Sequence, residues 1–225
     1  MLTKSLHSFN FIAPVYDQLA AWVFGQSIKQ AQLDTLTWIP LNGSVLVIGG
    51  GTGWYLRALL EQHKIKKVVY IEASEKMLAL TRKKIASLLP ELTDMEIELR
   101  LGTEDTLHPT EQFDIVITHF FLDVFEPLQL NKIACQLKDV LRPEGLWLIA
   151  DFRLPEQKIG IAYWWKKLLV KSMLFFFRVT SRITARQLPE FPELFAAMHM
   201  QLVNEHSYYN DLIVSSVYKK MQQNT

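Results

Sequence analysis

Val45-Leu46-Val47-Ile48-Gly49-Gly50-Gly51-Thr52-Gly53 is an aliphatic run that passes directly into glycines and then into the helical spacing of Tyr55 to His63. An unbroken aliphatic run suits a strand buried on both faces, as in a parallel sheet. Glycine after such a strand lets the backbone turn sharply. Without a Cβ, a ligand can lie against peptide N–H groups at a helix N-terminus, which fits any nucleotide-type ligand. The spacing narrows the choice. Gly49, Gly51 and Gly53 read G-x-G-x-G, whereas a dinucleotide fingerprint needs its third glycine where Trp54 stands. Glu72, closing the next strand-like run, can accept hydrogen bonds from both hydroxyls of a ribose. Together they imply a ribose-bearing cofactor without a pyrophosphate at the glycine loop.

Outward from this loop, strand-like runs alternate with helical ones. Ser44 to Ile48, Lys67 to Glu72, Glu96 to Leu101, Asp114 to Thr118 and Leu146 to Asp151 are the candidate strands. Tyr55 to His63, Glu75 to Leu89 and Leu128 to Leu141 carry helical spacing, and Arg142-Pro143-Glu144-Gly145 reads as a turn into the fifth strand. Such alternation predicts a doubly wound, mostly parallel α/β sheet with right-handed crossovers. After Phe152 comes an insertion rich in Trp, Phe, Lys and Arg, and Pro189 and Pro192 then mark a loop. Met200 to Tyr208 and Leu212 to Tyr218, joined at Asn210-Asp211, predict a C-terminal antiparallel hairpin that brings the sheet to seven strands.

Composition excludes several classes. The 225 residues fit one domain over 1–225, and a 49% hydrophobic content supplies its core. Lys plus Arg total 24 against 23 Asp plus Glu, a net +1, so no global field favours nucleic acid. The lone Cys135 makes neither an internal disulfide nor a cysteine-built zinc site, and His7, His199 and His206 show no ligand pattern, so no metal is expected. Nothing near Met1 reads as a signal peptide, and lysines interrupt the most apolar window, Ile159 to Val179, so a cytoplasmic location is expected.

The segments VLVIGGGTG (45–53), YIEASEKML (70–78), FDIVITHFFLDVF (113–125) and LKDVLRPEGLWLI (137–149) resemble the class I S-adenosylmethionine-dependent methyltransferases, in that family's order and spacing. The resemblance implies a Rossmann-like fold and S-adenosylmethionine as cofactor. It implies that Gly49, Gly50, Gly51 and Gly53 line the cofactor, with Gly49 and Gly51 against its methionine part. Glu72 would hold the ribose, Ala73 and Met77 would flank the adenine, Gly102, Thr103 and Glu104 would lie at the adenine edge, and Thr118 and His119 would lie beside the sulfonium. Two positions depart from the pattern: Val47 replaces an acid that orients the methionine amine, and Thr103 replaces an Asp at the adenine. Phe9 to Asp17 is similar to the entry helix of ubiquinone and menaquinone biosynthesis methyltransferases, which implies a helical N-terminal cap over 1–40 with Tyr16 closing over the cofactor.

Methyl transfer needs in-line positioning, and a base only where the acceptor carries a proton. His119 and Asp123, four apart, are the candidate base and its orienting carboxylate if the chain turns helical after the fourth strand. The plainer readings are a hydrogen-bonded structural His and a capping Asp. In the family the segment after the fifth strand covers the substrate, so 152–198 is expected to be a helical substrate cover. Within it, residues 159–183 place Trp165, Leu169 and Phe176 on one helical side and Lys167, Lys171 and Arg178 on another. That pattern suits a small lipophilic or aromatic acceptor and peripheral membrane contact, or simple packing on the sheet. A non-catalytic S-adenosylmethionine- or S-adenosylhomocysteine-binding protein of the same fold is the alternative.

Overall fold

Every residue of β1 (Ser44–Ile48) is buried, as its aliphatic run requires, because helices cover both faces of the sheet it joins. The computed structural model describes residues 24–153 and 188–222. Its seven strands run in the order β3-β2-β1-β4-β5-β7-β6. The others are β2 (Lys67–Glu72), β3 (Glu96–Leu101), β4 (Phe113–His119), β5 (Leu141–Phe152), β6 (Met200–Tyr208) and β7 (Ile213–Lys220). Strands β1 to β5 pair in parallel, and β7 lies antiparallel to both β5 and β6. This is the mostly parallel, seven-stranded, doubly wound sheet with an antiparallel C-terminal pair that the sequence predicts.

Two apolar layers enclose the sheet. On one face, α2 (Trp54–Gln62) and α3 (Glu75–Ile85) bury Leu56, Leu59, Leu78 and Ile85 against Val45, Val47, Tyr70, Ile115 and Ile117. On the other, α4 (Pro127–Asp139) and α5 (Phe191–Ala197) bury Ile133, Leu137 and Phe195 against Leu46, Val116, Trp147 and Ile149. Trp147 meets Phe195 edge to face at 5.0 Å, and Phe195 stacks on Tyr218 at 4.0 Å.

Helix α1 (Ser27–Asp34), followed by a 3₁₀ turn over Thr35–Trp38, packs on β5, β6 and β7. Phe24 meets Phe152 at 5.0 Å, and Asp34 accepts His206 Nδ1 from β6 at 2.8 Å.

Three local expectations shift. The turn at Arg142 to Gly145 lies inside β5 as a bulge, since pairing passes from Phe113–Leu141 to Ile115–Leu146 and Glu144 adopts φ 65°. Helix α3 ends at Ile85 rather than Leu89, and Pro90 falls in a separate 3₁₀ turn, Leu89–Glu91. The hairpin turn is wider than a dipeptide, with Tyr209, Asn210 and Asp211 all left-handed at φ 50°, 53° and 65°. The first part of the N-terminal cap, with Tyr16, and the helix expected over 159–183 lie outside the described residues. No helix among the described residues is long and apolar enough to cross a membrane.

Candidate active site

The carboxyl ends of β1, β2, β4 and β5 meet at one edge of the sheet, where open α/β folds gather their ligands. At the β1–β2 side the glycine loop is held by its neighbours. The Gly51 N–H donates to Glu72 Oε2 at 2.8 Å, and the Ser74 N–H donates to Glu72 Oε1 at 2.8 Å. Burial pushes the Glu72 pKa up, and the N–H groups of Ser74, Gly51 and Ala73 offset part of that rise. The Gly51 carbonyl accepts from Tyr70 Oη at 3.0 Å, and the Thr81 hydroxyl reaches it at 3.1 Å.

Of the four glycines, Gly51 is the open one. It adopts φ 64°, and a Cβ there would meet only Met77 Sδ at 3.9 Å. A Cβ on Gly49, at φ 68°, would fall 2.2 Å from Phe121 Cδ2, so the Phe121 ring lies against this glycine. Gly50 is backed by Tyr70 and Gly53 by Thr81. Met77 is buried under the loop, and its N–H meets Ser74 Oγ, the cap of α3, at 3.3 Å. Ala73 is half-buried beside Glu72. Gly102 donates its N–H to the Glu72 carbonyl at 3.0 Å, which brings the start of the β3 loop to the same edge. Thr103 accepts the Asp105 N–H at 3.4 Å and caps a 3₁₀ turn, and buried Glu104 has its pKa raised by desolvation.

At the β4–β5 side the expected roles are redistributed. Thr118 is fully buried, and its hydroxyl accepts Trp147 Nε1 at 2.9 Å on the α4–α5 face. Its side chain is therefore tied into the core on that face. His119, one residue on, faces the opposite side. Its ring meets Tyr55 edge to face at 4.4 Å, and its Nε2 lies 3.3 Å from Thr35 Oγ1. Burial drives its pKa down to about 3. A neutral imidazole so reluctant to charge is a poor general base near neutral pH.

The expected His119–Asp123 dyad does not form. Phe120 at φ 51° breaks the chain direction and Leu122–Val124 is a 3₁₀ turn, so the two side chains share no helical face. His119 Nδ1 and Asp123 Oδ1 are both buried and have no hydrogen-bond partner among the described residues. The partner of Asp123 is instead Asp151, at the end of β5 on the Trp147 and Ile149 face. The Asp151 Oδ1 accepts the Phe152 N–H at 2.8 Å. Burial pushes Asp123 up to about 7, and burial with the Asp123 charge pushes Asp151 well above the usual carboxylate range. Two buried carboxyls this close disfavour ionising together, so the pair holds a proton more readily than either acid would alone.

Thr35, Tyr55, Tyr70, Thr81, Phe121 and Asp151 join the site without having been singled out as site residues. Only Asp151 carried a signal, as an acid closing an apolar strand at the ligand edge.

The strand order and the glycine loop clasped by a strand-end Glu define the class I methyltransferase fold, a Rossmann-like sheet closed by an antiparallel pair. Residues 45–145, a little under half of the chain, match the model of the methyltransferase domain family. Among curated proteins, the polyamine aminopropyltransferase of Bacillus mycoides is 28% identical over 92 residues, 40% of this chain. The match spans about a third, 32%, of that relative's length. Among solved structures, the Burkholderia thailandensis 1,6-didemethyltoxoflavin-N1-methyltransferase, bound to its namesake and S-adenosylhomocysteine, is 15% identical with a TM-score of 0.68, covering 98% of this chain and 89% of that one. The N-methyltransferase NodS of Bradyrhizobium japonicum, in complex with S-adenosylhomocysteine, is 12% identical with a TM-score of 0.69, covering 97% and 99%.

Proposed function

We propose that this protein binds S-adenosylmethionine across the ends of β1 and β2 and transfers its methyl group to a small, apolar or aromatic acceptor. The observation that carries the reading is Glu72. It is a buried carboxyl fixed by backbone N–H groups beside the open Gly51, an acceptor whose remaining lone pairs suit the two hydroxyls of a ribose. Around it Gly51 and Gly53 offer backbone to the ligand, Ala73 and Met77 offer an apolar wall, and Gly102, Thr103 and Glu104 offer polar groups at the loop after β3. When bound, the cofactor supplies the electrophilic methyl group, and the chain's part is to orient the acceptor and exclude water.

Where the acceptor carries a proton, the Asp123–Asp151 pair is the base we assign, in place of His119. A carboxyl near pKa 7 is matched to proton transfer at neutral pH. The insertion over 152–198 would cover the acceptor, and its 159–183 stretch would supply lipophilic or membrane-surface contact, in a cytoplasmic protein. The test is calorimetric titration with S-adenosylmethionine, S-adenosylhomocysteine and NADH, followed by an acceptor screen that includes aromatic compounds, lipids and, because of the curated relative, polyamines. Binding of the first two ligands alone, with turnover on one acceptor, supports the reading. Binding of NADH alone overturns it.

The second reading is a protein that binds this cofactor without turning it over. The Phe121 ring lying on Gly49, together with Val47, favours it, since both remove room or polarity from the methionine end. Tight S-adenosylhomocysteine binding with no methylated product across the screen would select this reading.

A further inference from the structure

We infer that Nδ1 of His119 accepts a hydrogen bond from the ammonium group on the methionine arm of bound S-adenosylmethionine. The inference rests on the cofactor reading above and identifies a binding residue within that site.

The argument begins with protons. Thr35 has one hydroxyl hydrogen, and the Gln32 carbonyl takes it at 2.6 Å. The Thr35 oxygen can therefore only accept from its other two neighbours, the Tyr55 hydroxyl at 2.9 Å and His119 Nε2 at 3.3 Å. Nε2 must carry the ring proton. Nδ1 is then a bare lone pair, and it is buried with no donor among the described residues. A ring with both nitrogens protonated would leave an N–H without an acceptor, so the same geometry keeps the ring neutral. The outcome is a rigid acceptor, fixed in tautomer by Thr35 and in plane by Tyr55.

Position says what it waits for. Val47 of β1 pairs with Ile117 of β4, so two residues further along His119 stands level with Gly49, the first glycine of the loop. Val47, Ile117 and Tyr55 lie on the same face of the sheet as the His119 ring. Val47 offers no polar atom there, and Glu72 stands a further strand away from His119, at the end of β2. At this end of the cofactor the group rich in donors and poor in acceptors is the ammonium. A hydrogen bond from a charged donor is stronger than one between neutral groups.

Two substitutions separate the ring's two nitrogens. His119→Gln keeps a donor for Thr35 and loses the acceptor at Nδ1, whereas His119→Asn keeps an acceptor at Nδ1 and loses the donor. Binding is read by calorimetry with S-adenosylhomocysteine and with 5′-methylthioadenosine, which lacks the amino-acid arm. The expected result is that His119→Gln weakens S-adenosylhomocysteine binding by about 10- to 100-fold and leaves 5′-methylthioadenosine within about threefold, while His119→Asn keeps more S-adenosylhomocysteine affinity than His119→Gln. Equal losses for both ligands, or no loss, overturn the inference. If the variants fail to fold, nitrogen-15 NMR of the wild-type ring decides. An upfield move of Nδ1 on adding S-adenosylhomocysteine, and none with 5′-methylthioadenosine, supports it, and a stationary Nδ1 overturns it. A wild-type protein that binds neither ligand removes the cofactor reading itself.

Discussion

The two halves of the ligand edge are finished to different degrees. At the ends of β1 and β2, both Glu72 oxygens accept backbone N–H groups, and the Gly51 carbonyl is met by Tyr70. At the ends of β4 and β5, His119 Nδ1, Asp123 Oδ1 and Asp151 Oδ2 are buried and have no hydrogen-bond partner among the described residues. Unsatisfied buried polar atoms each cost about 1–3 kcal/mol. On the proposed reading, the first half is preorganised toward the cofactor's ribose, and the second keeps an acceptor, His119 Nδ1, for a donor on the ligand.

The sharpest way to break this comparison is at the glycines. Gly49→Ala forces a Cβ into Phe121 at φ 68° and should cost about 2–5 kcal/mol in urea unfolding, part of it recovered by adding Phe121→Ala. Gly51→Ala meets open space, so its cost should be only the left-handed strain of about 1–2 kcal/mol, with its larger effect on S-adenosylhomocysteine affinity. A reversed order of stability loss would mean that the Phe121 contact does not define the loop. Next in size, Glu72→Ala strips the acceptor from two backbone N–H groups. It should lower stability by about 1–3 kcal/mol and S-adenosylhomocysteine affinity at least about tenfold.

The β4–β5 half should declare itself through pH. Asp123 has a folded pKa of about 7, raised from 3.8, so its contribution to stability is full below pH 3.8 and is lost as pH rises toward and through 7. With Asp151 raised as well, wild-type melting temperature should fall across that range once other carboxylates are accounted for, and Asp151→Asn should flatten the fall. An unchanged slope in the variant would show that the two carboxyls do not share a proton. The smallest effect belongs to Thr118→Val. Loss of the Trp147 hydrogen bond should cost about 1 kcal/mol, and S-adenosylhomocysteine affinity should not change. A tenfold loss of affinity would put Thr118 back beside the ligand.

The strands were legible because aliphatic runs long enough to cross the sheet stand between helical patterns, and Glu72 was legible because it ends one of them. What could not be read was phase. A strand such as Ile115 to His119, covered on both faces, has no polar alternation to say which side a given residue takes, so Thr118 and His119 looked equivalent although they face opposite layers. The dyad failed for a related reason. Four-residue spacing means a shared face only in a helix, and no local rule announces that Phe120, a residue with a Cβ, will adopt φ 51°. The partners of His119 come from Thr35 and Tyr55 on other elements, contacts that only the folded topology creates.

Helix α1 is anchored from the far end of the sequence, through Asp34 to His206 and through its packing on β6 and β7. Those strands lie far along the chain from α1, so α1 has no seat until the hairpin they form has paired with β5. Contacts of such long sequence separation close late, because the chain entropy they cost is met only by the finished sheet. Thr35, which fixes the tautomer of His119, follows directly on α1. On the proposed reading, the acceptor at His119 is thus set only when the hairpin closes, which ties competence for the ligand to strands distant from it in sequence.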